Sequence, residues 1–202
     1  MTASVMLIYG TRPEAIKMAP VVQELRGHPQ LRPTVVVTGQ HREMLDQVNE
    51  VFGIVPDHDL NILSPGQSLT EITVRSLTGL EPLLSAERPD LVLVQGDTTT
   101  CFAASLASFY QRIPVAHLEA GLRTDNRYNP FPEEINRRLT TQVASLHLAP
   151  TALAKQNLLN SGVDASAVTV TGNTVIDALL EVTASERPIG DPTLARIAAD
   201  RP

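Results

Sequence analysis

Short apolar runs alternate along this chain with longer segments of helical periodicity, and this alternation constrains the fold more than any other feature. The apolar runs predict strands at residues 5–9, 34–38, 91–94, 114–118, 146–149 and 168–171. The periodic segments predict helices at residues 13–26, 41–52, 69–85, 99–110, 132–144, 151–159 and 174–182. Strands that alternate with helices in this way form a parallel sheet covered on both faces. The chain is therefore predicted to be α/β, with a doubly wound, Rossmann-like parallel sheet.

Two details concern individual helices. Pro20 falls inside the first periodic segment, where a proline predicts a kink or an early end of the helix. Ser68 directly precedes the third periodic segment, and Glu71 lies three residues after Ser68. This spacing is a capping box, so it predicts that the third helix begins directly after Ser68.

The end of the chain differs from the rest. Prolines and a glycine interrupt residues 184–202, which are predicted to be a linker or a poorly ordered tail. Residues 194–199 nevertheless begin a helical pattern. Residues 1–183 are predicted to form one Rossmann-like domain, which is large enough to bury a proper core.

Composition and charge exclude several classes of function. The chain has 16 basic and 22 acidic residues, a net charge of −6, and only 3% aromatic residues. Nucleic-acid binding needs a basic face or a stacking platform, and such a chain offers neither. No apolar stretch is long enough for a membrane span, no signal peptide precedes the first strand, and the single cysteine excludes an internal disulfide. These features predict a cytoplasmic protein that binds neither nucleic acid nor membranes.

In doubly wound sheets ligands bind at the carboxyl ends of the strands, so the loops after the strands are the candidate sites. The first of these loops reads GTRPEAIK at residues 10–17 and leads into a helix start, which predicts an anion site with added charge from Arg12 and Lys17. The loop matches neither a Walker A sequence nor GxGxxG, so it supports neither a P-loop nor a standard NAD site. The alternative is a surface loop in which Glu14 pairs with Lys17.

The second and third loops supply carboxylates. Asp97 follows the most apolar strand; the alternative is that Asp97 or a neighbouring threonine only caps the next helix. Glu119 begins a long loop, and Glu133 opens the helix after it. Because these loops share one rim of the sheet, the three carboxylates are predicted to meet in a cleft. Such a group suits proton transfer at a weak carbon acid or at a sugar.

Other polar residues near these loops favour structural roles. Glu134 is expected to pair with Arg137 and Arg138 on its own helix. His117 is expected to be a buried structural histidine, and Cys101 to fill space in the core rather than to act as a nucleophile. No two histidines have the spacing of metal ligands, so no metal site is predicted.

Several long motifs in this chain match one enzyme family. They are GTRPEAIKMAP at 10–20, QHREMLDQV at 40–48, GDTTT at 96–100, FYQRIPV at 109–115, EAGLRT at 119–124, PFPEE at 130–134 and GNTVIDAL at 172–179. On these motifs the chain resembles the non-hydrolysing UDP-N-acetylglucosamine 2-epimerases. The resemblance extends over almost the whole sequence.

The resemblance implies a fold and a reaction. Members of this family have two Rossmann-like domains that face each other across a cleft, as in GT-B glycosyltransferases. They interconvert UDP-N-acetylglucosamine and UDP-N-acetylmannosamine by eliminating UDP and adding it back, with inversion at carbon 2. The resemblance implies a UDP-sugar substrate, no cofactor, a homodimeric full-length protein and a place in cell-envelope polysaccharide biosynthesis.

The resemblance also assigns roles to individual residues. The catalytic carboxylates are Asp97, Glu119 and Glu133. The substrate-binding residues are Arg12, Lys17 and Arg123. Gln40 and Glu43 match a region that, in bacterial members, helps to bind a second UDP-N-acetylglucosamine as an allosteric activator.

The length of the chain is the main departure from the family, whose members are close to twice as long. The missing second domain carries the main uridine and diphosphate contacts and a catalytic histidine, so the isolated chain is predicted to fold but to be essentially inactive. Two alternatives are a non-catalytic sugar-nucleotide-binding module and a fragment of a GT-B glycosyltransferase. The three carboxylates argue against the transferase, because such enzymes usually need one base.

Overall fold

The computed structural model describes residues 2–124, 126–184 and 191–199, and its strands form one parallel sheet. The strands are β1 Ala3–Tyr9, β2 Leu31–Val37, β3 His58–Asp59, β4 Leu91–Gln95, β5 Val115–Leu118, β6 Leu146–Ala149 and β7 Val168–Val170. Their order is β3-β2-β1-β4-β5-β6-β7, and every neighbouring pair is parallel. The predicted doubly wound, Rossmann-like sheet is confirmed.

A helix follows each of the seven strands, and one more helix comes at the end of the described residues. They are α1 Arg12–Gly27, α2 Glu43–Val51, α3 Leu69–Glu87, α4 Thr99–Tyr110, α5 Glu133–Val143, α6 Ala152–Asn160, α7 Val175–Ala184 and α8 Pro192–Ala199. The capping box of α3 forms as predicted, since the Ser68 hydroxyl accepts from the Glu71 N–H and the Glu71 carboxylate accepts from the Ser68 N–H.

The core lies on both faces of the sheet because successive side chains of a strand point to opposite sides. On β1, Leu7 and Tyr9 belong to the core on one face, whereas Met6 and Ile8 belong to the core on the other. Helix α4 packs on the second of these faces with small buried residues, including Cys101. This double burial explains why the central strands read as continuous apolar runs.

The strand order reverses between β1 and β4, and this reversal determines where a ligand can enter. The helices that follow the two strands lie on opposite faces of the sheet, so their loops separate and leave a crevice. Gly10, directly after β1, is packed too tightly for any side chain. A Cβ atom there would lie 2.1 Å from the Thr38 hydroxyl oxygen and 2.6 Å from that of Thr100.

Two details differ from the sequence predictions. Helix α1 does not end at Pro20, because its buried face, which includes Met18 and Val22, holds it against the sheet on both sides of the proline. The two-residue strand β3 was not predicted, since a pair of polar residues carries no period. Within the predicted tail, α8 agrees with the helical pattern predicted at residues 194–199, whereas residues 185–190 and 200–202 lie outside the described residues.

Candidate functional site

A cleft of about 550 Å³ opens at the carboxyl ends of β1, β4 and β5. Its lining includes five residues with predicted catalytic, substrate-binding or allosteric roles: Lys17, Gln40, Asp97, Glu119 and Glu133. The three carboxylates therefore share one cleft at the point where the strand order reverses.

Glu119 is held by donors from three separate parts of the chain. Its backbone, directly after β5, has a φ of 64°, which is costly for a residue with a side chain. Oε2 accepts hydrogen bonds from Lys17 Nζ at 2.5 Å and from Gln95 Nε2 at 2.7 Å. Oε1 accepts from Asn173 Nδ2 at 2.7 Å. One ammonium and two amides thus fix the orientation of this carboxylate.

Asp97 is held by an arginine from α5. Its Oδ2 accepts from Arg137 Nη2 at 2.6 Å and from Arg137 Nε at 2.9 Å. The N-cap of α4 is the neighbouring Thr98, whose hydroxyl accepts from the Cys101 N–H at 3.0 Å. Because the threonine caps the helix, the Asp97 side chain is left to face the cleft.

Glu133 and Glu134 are neighbours in the first turn of α5 but have different surroundings. Glu134 is fully buried and pairs with Arg138 Nε at 2.7 Å and Arg137 Nη1 at 3.3 Å, as predicted. Burial raises the pKa of the Glu134 carboxyl, but hydrogen bonds from Arg138, the Thr124 N–H and Arg137 together bring it below its ordinary value. Glu133 contrasts with this, because its Oε2 is buried and has no hydrogen-bond partner among the described residues.

Glu14 does not form the surface pair with Lys17 that was the alternative for this loop. It is buried, and its carboxylate accepts from the N–H groups of Gly10 at 2.9 Å and Thr11 at 2.8 Å and from the Thr98 hydroxyl at 2.6 Å. Burial raises its pKa, against those hydrogen bonds, which lower it. The predicted anion site at this helix start is therefore partly filled by the chain's own carboxylate, and Lys17 is left to bind Glu119.

Three residues with predicted binding roles lie away from the lining of the cleft. Arg12 and Glu43 are exposed. The Arg123 guanidinium donates to the Leu122 carbonyl at 2.8 Å and to the Thr141 hydroxyl at 2.9 Å. Burial lowers the pKa of Arg123. These three roles stay predictions.

His117 and Cys101 support the strand end that carries Asp97. His117 Nε2 lies 2.6 Å from the Gly96 carbonyl oxygen, and the Cys101 thiol donates to the same oxygen at 3.4 Å. Burial lowers the pKa of His117 to about 4 and raises that of Cys101 well above its ordinary value. A neutral imidazole and a protonated thiol are structural groups, as expected for both.

The contacts of Gln95, Arg137 and Asn173 with the carboxylates were not predicted from the sequence. Asn173 lies 54 residues from Glu119 in sequence, so no local spacing connects the two. The only signal was the GNTVIDAL motif, which contains Asn173 but says nothing of its contacts.

Two other kinds of site are absent from the described residues. Among residues 2–124, 126–184 and 191–199, no three or more His, Cys, Asp or Glu side chains are grouped so as to hold a metal ion. Within the same ranges, none of the helices has the length and apolar character needed to cross a membrane.

Comparison with known proteins identifies the family. A sequence model of the family described as UDP-N-acetylglucosamine 2-epimerase matches residues 23–200. The chain belongs to this family. The UDP-N-acetylglucosamine 2-epimerase of Escherichia coli K12 is 61% identical to it over 178 residues, which are 88% of this chain and 47% of that protein. The chain thus spans about half the length of the curated relatives that it matches.

Solved structures agree with the epimerase assignment. The crystal structure of the Neisseria meningitidis UDP-GlcNAc 2-epimerase bound to UDP-GlcNAc has a TM-score of 0.89 and 53% identity, and the match covers 98% of this chain and 52% of that one. The lipopolysaccharide outer core galactosyltransferase WaaB is 13% identical with a TM-score of 0.61, over 83% of this chain and 44% of that one. The second likeness is one of fold alone.

The three predicted catalytic carboxylates of the cleft are of two kinds. Asp97 and Glu119 are oriented by cations, whereas Glu133 has a buried oxygen without a partner among the described residues. Groups of both kinds can take up and release protons when a substrate fills the cleft.

Proposed function

We propose that this chain is the N-terminal half of an enzyme that interconverts UDP-N-acetylglucosamine and UDP-N-acetylmannosamine. The observation that carries the proposal is the meeting of Asp97, Glu119 and Glu133 in one cleft of a chain from the epimerase family. Residues 1–183 form the Rossmann-like domain. Residues 184–202 begin the connection to a second, nucleotide-binding domain in a GT-B arrangement.

The proposed reaction inverts carbon 2 of the sugar by elimination and re-addition. A carboxylate takes the proton from carbon 2, the C–H electron pair forms the double bond between carbons 1 and 2, and UDP leaves carbon 1 with the electrons of the C–O bond. The 2-acetamidoglucal then accepts a proton on the opposite face of carbon 2 while UDP bonds again to carbon 1. No electrons are gained or lost overall, so no redox cofactor is required.

The three carboxylates fit these demands. A proton leaves one face of the ring and arrives at the other, so acid/base groups are needed on two sides. Breaking the anomeric bond builds positive charge on the ring, which nearby carboxylates stabilise. The unpartnered Oε2 of Glu133 gains a partner when it accepts a hydrogen bond from a substrate hydroxyl.

The remaining roles concern binding. Lys17, Arg12 and Arg123 are proposed to bind the substrate, and Gln40 and Glu43 to belong to a site for a second, activating UDP-N-acetylglucosamine. Lys17 and Gln40 line the cleft, which supports their part of this assignment.

The setting of the full-length enzyme is also a proposal. We place it in the cytoplasm, as a homodimer that supplies activated N-acetylmannosamine for cell-envelope polysaccharides. The single cysteine supports this compartment, since secreted domains of this size often carry disulfides. Sedimentation of the full-length enzyme measures the oligomeric state directly.

The experiment that tests the proposed function compares two proteins. The 202-residue chain and the full-length enzyme that contains it are each incubated with UDP-N-acetylglucosamine, and the two epimers are counted by proton NMR. We expect conversion by the full-length enzyme and a rate at least about 10³-fold lower for the chain, because half of the cleft is missing.

Each other outcome has its own meaning. Turnover by the chain at the rate of the full-length enzyme would contradict the claim that the chain holds only half of the active cleft. Glycosyl transfer without epimerisation by the full-length protein would make it a transferase. Tight binding of UDP-N-acetylglucosamine by the chain alone, with no turnover by the full-length protein, would make it a binding module.

A further inference from the structure

The loop between β7 and α7 contacts the cleft from a distant part of the sequence. Asn173 Nδ2 donates to Glu119 Oε1 at 2.7 Å, and the Thr174 hydroxyl donates to the Lys17 carbonyl oxygen at 2.6 Å. Lys17 and Glu119 form the ion pair of the cleft. Two consecutive residues of this loop, Asn173 and Thr174, therefore donate hydrogen bonds to the two members of this ion pair.

The orientation of the Asn173 amide is fixed by its own loop. Its Oδ1 accepts from the Val175 N–H at 3.1 Å. An asparagine side chain has one acceptor end and one donor end. Since the acceptor end faces Val175, the donor end must face Glu119, and the amide presents an N–H group to the carboxylate.

The donors to Glu119 are unequally divided between its two oxygens. Oε2 accepts from the Lys17 ammonium and from Gln95 Nε2, whereas among the described residues Asn173 alone donates to Oε1. A carboxylate oxygen has about two acceptor sites. Both sites of Oε2 are occupied, one of them by a cation, so Oε1 is the oxygen with a free site.

We propose that Asn173 is a positioning residue, which holds the Glu119 carboxylate so that Oε1 is the oxygen that exchanges a proton with the sugar. This inference rests on the proposed function. In the elimination direction the C–H bond at carbon 2 breaks and an O–H bond forms at Oε1. The C–H electron pair enters the ring double bond, and UDP departs with the electrons of the anomeric bond.

Two substitutions of Asn173 separate positioning from support of the fold. Asn173→Asp keeps the shape and the acceptor for the Val175 N–H, but it faces Glu119 with a second carboxylate instead of a donor. Asn173→Ala removes both contacts. Asn157→Ala is the matched control, because Asn157 Nδ2 donates to the Gly121 carbonyl oxygen at 3.0 Å and makes no contact with Glu119 among the described residues.

The activity arm uses the full-length enzyme. For Asn173→Asp we expect kcat to fall about 10²-fold and the acidic limb of the kcat–pH profile to move up by about one pH unit, because a facing carboxylate favours the protonated form of Glu119. For Asn173→Ala we expect about a tenfold fall. KM should stay within about threefold in both, and Asn157→Ala should keep the wild-type pH profile.

A second experiment tests the same contact without measuring activity. The carboxyl carbon of Glu119 is titrated by ¹³C NMR in the 202-residue chain, and its curve should move to higher pH in Asn173→Asp but not in Asn157→Ala. If the curve does not move, or if Asn173→Asp is milder than Asn173→Ala, the positioning role is overturned. If the curve moves but the wild-type full-length protein does not epimerise, the proposed function fails and the contact between Asn173 and Glu119 stands.

Discussion

The strand ends after β4 and β5 and the first turn of α5 supply the same chemical group to one cleft, but they hold it in opposite ways. At the strand ends Asp97 and Glu119 each have a cationic partner, Arg137 and Lys17. At the helix start the Oε2 atom of Glu133 is buried without a partner among the described residues. The fold thus fixes two carboxylates in place and leaves the third without a partner for one of its oxygens.

The unpartnered Oε2 of Glu133 affects the stability of the fold. A buried carboxylate oxygen without a donor costs free energy, which is recovered when a proton or a ligand satisfies it. Glu134, one residue further on, shows that α5 can satisfy a buried carboxylate fully, since it accepts from two arginines and a backbone N–H. We therefore expect the strand-end carboxylates to support both activity and stability, and Glu133 to support activity at the expense of stability.

The largest effect is expected for Glu119→Gln in the full-length enzyme. Loss of this acid/base group should lower kcat by about 10³-fold, and Tm should fall because the new amide places its donor against that of Asn173. The matched control is Glu181→Gln, whose carboxylate accepts from Gln23 Nε2 at 2.8 Å outside the cleft. Epimerisation by Glu119→Gln at close to the wild-type rate would remove Glu119 from the mechanism.

A smaller loss of activity, about 10²-fold in kcat, is expected for Glu133→Gln. Here the comparison predicts that Tm stays the same or rises, because a buried oxygen without a donor is replaced by a neutral amide. Glu134→Gln, on the same helical turn, should instead lower Tm by several degrees, since it weakens the pairs with Arg137 and Arg138. Equal falls in Tm for the two variants would refute the distinction between the two regions.

The smallest effect concerns His117, which supports the strand end that carries Asp97. Burial lowers its pKa to about 4 in the folded chain, whereas the unfolded chain has an ordinary histidine pKa of about 6.5. Between these values the unfolded state binds more protons. The neutral His117 therefore contributes to the free energy of unfolding at neutral pH, and this contribution is lost as the pH falls. The expected loss in the free energy of unfolding is about 2 kcal/mol between pH 7 and pH 5.

Urea denaturation at the two pH values measures this loss, and His117→Gln isolates it because other groups titrate in the same range. The variant should lose about 2 kcal/mol less than the wild type over this interval. The same pH dependence in both proteins would show that the His117 imidazole does not control it.

Much of the fold follows from patterns that the sequence displays locally. Helix α4 has its predicted bounds, because the small residues between Thr99 and Tyr110 follow one apolar strand and precede the next. The central strands of the sheet are apolar on both faces and therefore appear in the sequence as continuous apolar runs. The strand β3 escaped prediction because two paired residues have no period, and α1 continued through Pro20 because packing on the sheet outweighed a local preference.

The candidate site was less predictable, and the reasons differ between its parts. The catalytic carboxylates could be named because they follow strands in long motifs. The position of Glu14 could not be decided from the sequence, because an i,i+3 spacing suits a surface pair with Lys17 as well as it suits a carboxylate turned back onto its own helix start. The partners of Glu119 and Asp97 were missed, because Asn173 and Arg137 reach them only through the order of the strands.

The most direct test of the central claim, that this cleft supplies acid/base groups for inversion at carbon 2, is an isotope measurement on the full-length enzyme. UDP-N-acetylglucosamine is incubated with the enzyme in D₂O, and carbon 2 of the product is examined by NMR. We expect UDP-N-acetylmannosamine that carries solvent deuterium at carbon 2. An epimer that retains the original proton there, with none exchanged in the recovered substrate, would contradict it.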